Sequence, residues 1–211
     1  MLHEYNKTIF DALHTSPTRS AYVISEIYPV KGMVNEFWFR VGTSVDVVTK
    51  TLMNALAPGV KIDIGGTEFQ VTGIVLENPP PREGEYITLS PILLIDKNSG
   101  KSIVYDGQDY VKLLECAINT QIKNNLKEDG TIEVLAFEPK GVRRRKISNR
   151  VFLTQKGRMI LKGEEKHLTF LLNHGIGRSP ALGFGMIVPG VPLEQLIMQG
   201  FKTLSSGDER K

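Results

Sequence analysis

The sequence predicts an α+β protein, and three observations support this. Its 211 residues are 41% hydrophobic and 23% charged, an ordinary composition for a folded chain. Short segments rich in aromatic and β-branched residues alternate with segments of helical periodicity. The run of three prolines within Glu77–Glu85 can neither continue a helix nor lie inside a sheet, so it divides the chain into two halves.

The first half has the predicted order α-β-β-α-β. Residues 3–14 have helical spacing, and strand patterns follow at Tyr22–Tyr28 and Glu36–Val41. A hairpin around Gly65 and Gly66 comes after a helical stripe of Val45, Val48, Leu52 and Leu56. The strand that would open a complete unit is missing. We therefore expect that the chain is truncated or that another chain completes this sheet, because an open sheet edge invites pairing.

The second half has the complete order β-α-β-β-α-β. The strand segment YITLSPILLID precedes a helix at Asp109–Leu126 and the strand TIEVLAF. The segment VFLTQKGRMILKG predicts a hairpin that turns at Gln155–Gly157, and a short helix then ends at Gly175 before the strand GFGMIV. These orders predict two tandem ferredoxin-like (βαββαβ) domains, the first lacking its opening strand. The predicted domains span 1–78 and 85–190, with a tail at 191–211.

Composition and spacing exclude several classes of function. Cys116 is the only cysteine, which excludes an internal disulfide and a cysteine-based metal cluster. The histidines lack metal-ligand spacing on a helix face, so we expect no metal and no other cofactor; they are His3, His14, His167 and His174. We expect His167 and His174 to be surface or capping residues. The N-terminus does not resemble a signal peptide and no apolar run approaches a membrane span, so we expect a cytoplasmic protein.

The stretch HGIGRSPALGFGMI concentrates glycine around one basic and one hydroxyl side chain: Gly175, Gly177, Arg178, Ser179, Gly183 and Gly185. A dinucleotide fingerprint is excluded because Pro180 stands where a further glycine is required. A Walker loop is excluded because Phe184 and Gly185 follow Gly183. Two interpretations remain. Either the loop needs glycine only to turn, or its free N–H groups and Arg178 bind an extended anionic backbone.

A second feature is a basic cluster without any acidic residue, formed by Lys140, Arg143, Arg144, Arg145, Lys146 and Arg150. The cluster falls between two predicted strands, so we expect it to crown a hairpin. Arginine side chains suit phosphate oxygens, and such a cluster favours salt-dependent binding of nucleic acid over a merely solvated loop. The net charge of +3 alone is too small to identify a nucleic-acid-binding protein.

These segments together resemble a known family. GIGRSPALGFG is similar to the C-terminal glycine-rich signature of the CRISPR-associated endoribonucleases that process precursor CRISPR RNA, within the repeat-associated mysterious protein superfamily. That signature is glycine-apolar-glycine, five residues often including a basic one and a serine, then glycine-aromatic-glycine. The segments LHTSPTRSAYVISEI, YITLSPILLI and GRMILKGEEKHLTFLLNHGIG also resemble the family, so the resemblance covers residues 14–188.

The resemblance implies that two ferredoxin-like domains bind repeat RNA across a shared cleft, through the basic cluster and the glycine-rich loop including Phe184. It also implies metal-independent cleavage, in which the ribose 2′-hydroxyl attacks the adjacent phosphate. His14 takes the place of the catalytic histidine, and Arg19 falls beside the place of a charge-stabilising lysine. Tyr5 is the only tyrosine near the family's catalytic tyrosine, which lies farther upstream.

Alternatives remain open from the sequence. A histidine exchanges protons near pH 7, although a lone loop histidine is often inert. The chain is therefore either an endonuclease, or a non-catalytic paralogue that only binds CRISPR RNA, or a subunit of a CRISPR effector complex. A homodimer is a further possible state, since another chain is one of the two explanations for the incomplete first sheet.

Overall fold

A computed structural model describes residues 21–198, except Gly65, Lys97 and Ser148. The predicted helix at 3–14 and most of the predicted tail lie outside the described residues. The three predicted catalytic residues, Tyr5, His14 and Arg19, lie outside them as well.

The first half opens with one interrupted antiparallel hairpin. Strand β1 (Val23–Ile24) pairs with β4 (Val41–Gly42), and β2 (Tyr28–Pro29) pairs with β3 (Phe37–Trp38). The two predicted strands of this region are therefore each broken once. Tyr28 and Trp38 are direct partners in the β2–β3 pair, and their rings stack with centroids 4.8 Å apart.

A helix and a second hairpin complete the described part of the first half. Helix α1 (Asp46–Ala55) buries Val48 completely, as the predicted apolar stripe requires. Strands β5 (Lys61–Ile64) and β6 (Thr67–Gln70) then pair with each other. Within residues 21–83 these hairpins remain two-stranded pairs and do not join into one sheet.

The second half is a complete four-stranded unit with two covering helices. Its elements are β7 (Gly84–Thr88), β8 (Leu94–Ile95), β9 (Ser102–Ile103), α2 (Gln108–Leu126), β10 (Glu133–Ile147), β11 (Arg150–Lys162), α3 (Glu165–His174), β12 (Ile187–Pro192) and α4 (Leu193–Met198). The main sheet has the order β10-β11-β7-β12, and all neighbours are antiparallel. This βαββαβ order with its crossovers is the predicted ferredoxin-like arrangement.

Helix α2 packs on the sheet through residues spaced four apart. Tyr110, Leu114, Ile118 and Ile122 are all completely buried. The α3 residues Leu168 and Leu171 are buried with them in the same core. The buried face begins at Tyr110, one position before the predicted Val111, which is only partly buried. None of the described helices combines the length and the apolar character that a membrane span requires.

The predicted hairpin turn at Gln155–Gly157 is wrong, because β11 continues straight through it. Strands β10 and β11 pair from Glu133 opposite Lys162 to Ile147 opposite Arg150. The Gln155 side chain is almost fully buried and donates to the carbonyl oxygens of Gly141 and Lys156, both at 2.9 Å. These bonds support a bulge in β10, so the residues that resemble a turn remain extended. The basic cluster therefore lies mainly along a strand.

His167 is not the surface or capping residue that the sequence suggests, because its side chain is fully buried. Its Nδ1 lies 2.9 Å from the Thr131 hydroxyl, and its Nε2 lies 3.1 Å from Glu128. The imidazole thus joins α3 to the segment before β10. Both ring nitrogens are used, which makes His167 a structural residue.

Replacing Tyr110 by phenylalanine is expected to raise the free energy of unfolding by about 1 kcal/mol. In the described part of the chain, its hydroxyl is the only buried side-chain polar atom without a hydrogen-bond partner. Tyr86→Phe is the matched control, since the Tyr86 hydroxyl donates to the Arg82 carbonyl at 2.7 Å. Urea denaturation should show Tyr86→Phe losing stability, and a loss in Tyr110→Phe would contradict the expectation.

Candidate functional site

The glycine-rich loop, residues 175–185, needs left-handed backbone at several positions. The φ angles of Gly175, Gly177, Gly183 and Gly185 are 72°, 85°, 84° and 73°. Ser179 also has a positive φ of 58°. A Cβ at Gly185 would lie 1.9 Å from the carbonyl oxygen of Ile176, so only glycine fits there. The spacing of the glycines is thus explained by the fold of the loop itself.

Most loop N–H groups are used within the protein. The N–H of Ile176 donates to the carbonyl oxygen of Gly185 at 2.9 Å, and the N–H of Gly185 donates to the carbonyl oxygen of Pro91 at 3.0 Å. The N–H of Arg178 donates to the carbonyl of Leu93 at 3.0 Å. The loop is therefore fixed to the strand segment that follows β7, and it presents a preformed surface.

The predicted cradle of free N–H groups is consequently smaller than the sequence suggests. Among the described loop residues, the amides without a hydrogen bond are those of Ser179, Ala181 and Phe184. The Phe184 side chain is only 5% exposed, so it supports the loop from within. Arg178 is exposed, so its guanidinium and the amides of Ser179 and Ala181 are the loop groups available to a ligand.

Gln121 on α2 holds the first glycine pair, although no local sequence signal indicates this role. Its side-chain amide donates to the Gly175 carbonyl at 2.9 Å, and its Oε1 accepts the N–H of Gly177 at 3.0 Å. One side chain thus satisfies two polar groups of the loop. The partners are separated from it by 54 and 56 residues, so only the fold reveals the contact.

Gln121→Leu is expected to lower the free energy of unfolding by about 2 kcal/mol, because it leaves one amide and one carbonyl of the loop without partners. We also expect weaker binding of RNA, the ligand that the family resemblance implies, since the position of the loop is no longer fixed. Asn124→Leu on the exposed side of the same helix is the control. Thermal unfolding and RNA titration measure both effects, and equal behaviour of the two variants would contradict the role of Gln121.

The basic cluster divides into two sides of β10. Successive side chains of a strand alternate, so Arg143 and Arg145 lie on one side and Arg144 and Lys146 on the other. Arg143 forms an ion pair with Glu26 at 3.3 Å, and Arg145 also pairs with Glu26. The first side is thus neutralised in part by a carboxylate from the first half of the chain.

Glu26 meets a third cation, Lys156 of β11. Its side chain is 17% exposed, and although burial raises the carboxyl pKa, the charges of Lys156, Arg143 and Arg145 bring it below its usual value. Lys156 also donates to the Tyr28 hydroxyl at 3.0 Å. Glu26 therefore joins the first hairpin to the basic strand pair.

Within the basic cluster and the glycine-rich loop, four exposed cations have no ion pair to any described residue: Arg144, Lys146, Arg150 and Arg178. Lys140 differs from them, since it pairs with Glu138. The four belong to the basic cluster and to the glycine-rich loop. They are the charges that remain available to a polyanion.

The structure brings these two features together at one cleft. A cavity of about 300 Å³ lies between the end of the β10–β11 hairpin, the loop and the β8–β9 turn. Its lining is Leu93, Ile95, Asp96, Gly100, Ile147, Arg150, Phe152, Arg178 and Ser179. Within residues 21–198 as described, no three potential metal-binding side chains lie together. The cleft thus combines two arginines, an aromatic ring and backbone polar groups.

Comparison with known families decides the relationship. The model described as CRISPR associated protein Cas6, C-terminal, matches residues 76–189, which is more than half of the chain. The chain belongs to the Cas6 family. This match includes the glycine-rich loop and the basic hairpin. No curated protein sequence matches the chain significantly.

Solved structures extend the likeness over both halves. The chain is similar to a CRISPR associated protein Cas6, with a TM-score of 0.69 and 18% identity over 90% of this chain and 87% of that one. The chain is also similar to the product of a Cas6-related gene from Pyrococcus furiosus, with a TM-score of 0.66 and 18% identity over 88% of this chain and 84% of that one. A third similar structure is a RAMP protein that binds different RNA substrates, with a TM-score of 0.63 and 21% identity over 88% of this chain and 85% of that one. The predicted tandem ferredoxin-like fold is confirmed.

Proposed function

We propose that this protein is an endoribonuclease that binds precursor CRISPR RNA and cleaves it within the repeat without a metal ion. The observation that carries the proposal is the meeting of exposed, unpaired cations from the hairpin and the loop at one cleft. Membership of the Cas6 family supports it. One structural neighbour is a Cas6 in a product complex, with a TM-score of 0.60 and 14% identity.

Binding rests on the four unpaired cations. Each can neutralise one phosphate of the RNA, and the arginines can hold a phosphate through two parallel hydrogen bonds. Because Arg144 and Lys146 lie on the other side of β10 from Arg143 and Arg145, the RNA backbone follows the hairpin on the side that Glu26 does not neutralise. Arg150 is paired with Ile147 and therefore lies on the opposite face of the hairpin, so the backbone passes around the end of the hairpin to reach Arg150 and Arg178 at the cleft.

Cleavage is an intramolecular transfer at phosphorus. The ribose 2′-oxygen bonds to the adjacent phosphorus, the bond from phosphorus to the 5′-oxygen breaks, and a 2′,3′-cyclic phosphate and a 5′-hydroxyl result. One proton leaves the 2′-hydroxyl and one is delivered to the 5′-oxygen. We assign His14 to this proton transfer, Arg19 to stabilisation of the phosphorane charge and Tyr5 to the second acid–base position.

The test is cleavage of labelled repeat RNA in EDTA by the wild-type chain, His14→Ala and the control His3→Ala. We expect wild-type cleavage, loss with a single 2′-deoxy sugar at the cut site, and a roughly 10²- to 10⁴-fold slower rate for His14→Ala. His3→Ala should cleave normally. Tight binding without cleavage of any repeat would overturn the catalytic part and favour a binding-only paralogue, whereas a requirement for divalent metal would overturn the mechanism.

A further inference from the structure

The cavity of about 300 Å³ between hairpin and loop, called here the hairpin–loop cleft, has a size at the lower end of ligand pockets, roughly 300–1,000 Å³. Its walls come from three separate elements: the end of the β10–β11 hairpin, the glycine-rich loop and the β8–β9 turn. A cleft of this size suits one small unit of a polymer.

Hydrogen bonds hold each wall in place. The N–H of Arg178 donates to Leu93 at 3.0 Å, which fixes the loop to the segment before β8. The N–H of Leu153 donates to the Ser102 hydroxyl at 3.0 Å, which fixes the hairpin to β9. Across the β8–β9 turn, the backbone N–H of Asp96 donates to the carbonyl oxygen of Lys101 at 2.9 Å. The cleft is therefore preformed, and a ligand need not order it.

The lining supplies three kinds of recognition. Arg150 lies on the hairpin and Arg178 on the loop, and neither has an ion-pair partner among the described residues. Phe152 is partly exposed and offers a ring for stacking. Asp96 lines the turn, and its Oδ1 accepts the N–H groups of Asn98 at 2.6 Å and Ser99 at 3.0 Å.

The Ser99 hydroxyl also interacts with the Asp96 carboxylate, but the second carboxylate oxygen accepts no N–H group of the described residues. It is thus an acceptor at the rim of a cleft that otherwise favours an anion. Among the RNA bases, guanine presents two adjacent N–H donor groups on its pairing edge, whereas uracil presents one N–H between two carbonyls. An acceptor at this place favours guanine and disfavours uracil.

We propose that the hairpin–loop cleft binds a single splayed nucleotide of the RNA, with its phosphate on Arg150 and Arg178, its base stacked on Phe152, and guanine selected over uracil by Asp96. Sequence-specific recognition of RNA commonly uses such unstacked bases. The inference rests on the proposed RNA-binding function and adds to it a determinant of sequence preference. General affinity comes from the hairpin, and preference comes from the cleft.

The experiment is fluorescence anisotropy with two labelled octaribonucleotides, one of eight uridines and one with a single central guanosine. Because the uridines that flank the guanosine can bind in several registers along the protein, the guanosine can reach the cleft. We expect the guanosine octamer to bind the wild-type chain roughly tenfold more tightly, a difference of about 1.4 kcal/mol, because only guanine offers two adjacent N–H donors to Asp96. Phe152→Leu should reduce this ratio several-fold.

Asp96→Asn is the decisive variant, because asparagine keeps the Oδ1 acceptor of the turn and replaces the second oxygen by a donor. In this variant the ratio of the affinity for the guanosine octamer to that for the uridine octamer should fall to about one, while the uridine octamer still binds. Asp106→Asn, at an exposed carboxylate outside the cleft lining, is the control and should keep the wild-type ratio.

A wild-type ratio of one with salt-dependent binding of both octamers would overturn the cleft and leave the proposed function standing. A ratio that persists in Asp96→Asn would also overturn the role of Asp96. Failure of repeat RNA and of both octamers to bind would instead overturn the proposed function itself.

Discussion

Gly185→Ala is expected to lower the free energy of unfolding by more than about 4 kcal/mol, which would leave the second half of the chain unfolded or loosely packed. The added Cβ would lie 1.9 Å from the Ile176 carbonyl oxygen, a distance that requires the backbone to move. The same movement breaks the hydrogen bond from Ile176 to Gly185. The φ of 73° adds the ordinary cost of a left-handed alanine.

Gly183→Ala is the matched control within the same loop. Its φ is 84°, but the nearest atom to an added Cβ is Cγ2 of Ile24 at 4.0 Å. Only the conformational cost of roughly 1–2 kcal/mol should remain. Urea denaturation followed by circular dichroism compares the two variants. Equal losses would contradict the close packing of the loop at Gly185.

Glu26→Gln is expected to change stability and RNA binding in opposite directions. The substitution leaves Arg143, Arg145 and the mostly buried Lys156 without their carboxylate, which should cost about 1–3 kcal/mol in a partly exposed site. The same change frees these cations for phosphate, so affinity for repeat RNA should rise several-fold at low salt. Weaker RNA binding by a folded Glu26→Gln protein would contradict this account.

The pH dependence follows from the direction of the Glu26 pKa. The neighbouring cations lower it in the folded protein, so its stabilising contribution is present above the unfolded pKa of about 4.3. That contribution is lost as the pH falls through the lower folded pKa. Below about pH 4.5 the wild-type chain should therefore lose stability more steeply than Glu26→Gln. Glu36→Gln, at an exposed carboxylate, should follow the wild-type curve.

Periodicity predicted the order of the elements because each helix and strand has one buried face. Leu114, Ile118 and Ile122 are spaced four apart on α2 and are all buried, as expected. The false turn at Gln155–Gly157 shows the limit of local pattern. A lysine and a glycine in sequence resemble a turn, yet pairing with β10 and the buried Gln155 side chain keep them extended.

The basic cluster and the glycine-rich loop were visible in the sequence, but their partners were not. Which cations of the basic cluster are neutralised depends on Glu26, which is 117 residues from Arg143. The clamp by Gln121 and the burial of His167 also arise from contacts between distant segments. Side-chain types are a local property, whereas free charge and free hydrogen-bonding capacity depend on the fold. The roles assigned to Tyr5, His14 and Arg19 remain predictions.

The most direct test of the central claim is the salt dependence of binding to single-stranded repeat RNA. One variant replaces Arg144, Lys146, Arg150 and Arg178 by glutamine, and a control of equal charge replaces Lys31, Lys50, Lys112 and Lys127. Each phosphate contact with a single strand contributes about 0.7 to the steepness of the plot of log K against log salt concentration. Loss of four contacts in the first variant should therefore make this plot shallower by roughly 3. The control should retain the wild-type slope. An unchanged slope in the first variant, or an equal loss in both, would contradict RNA binding by the hairpin and the glycine-rich loop.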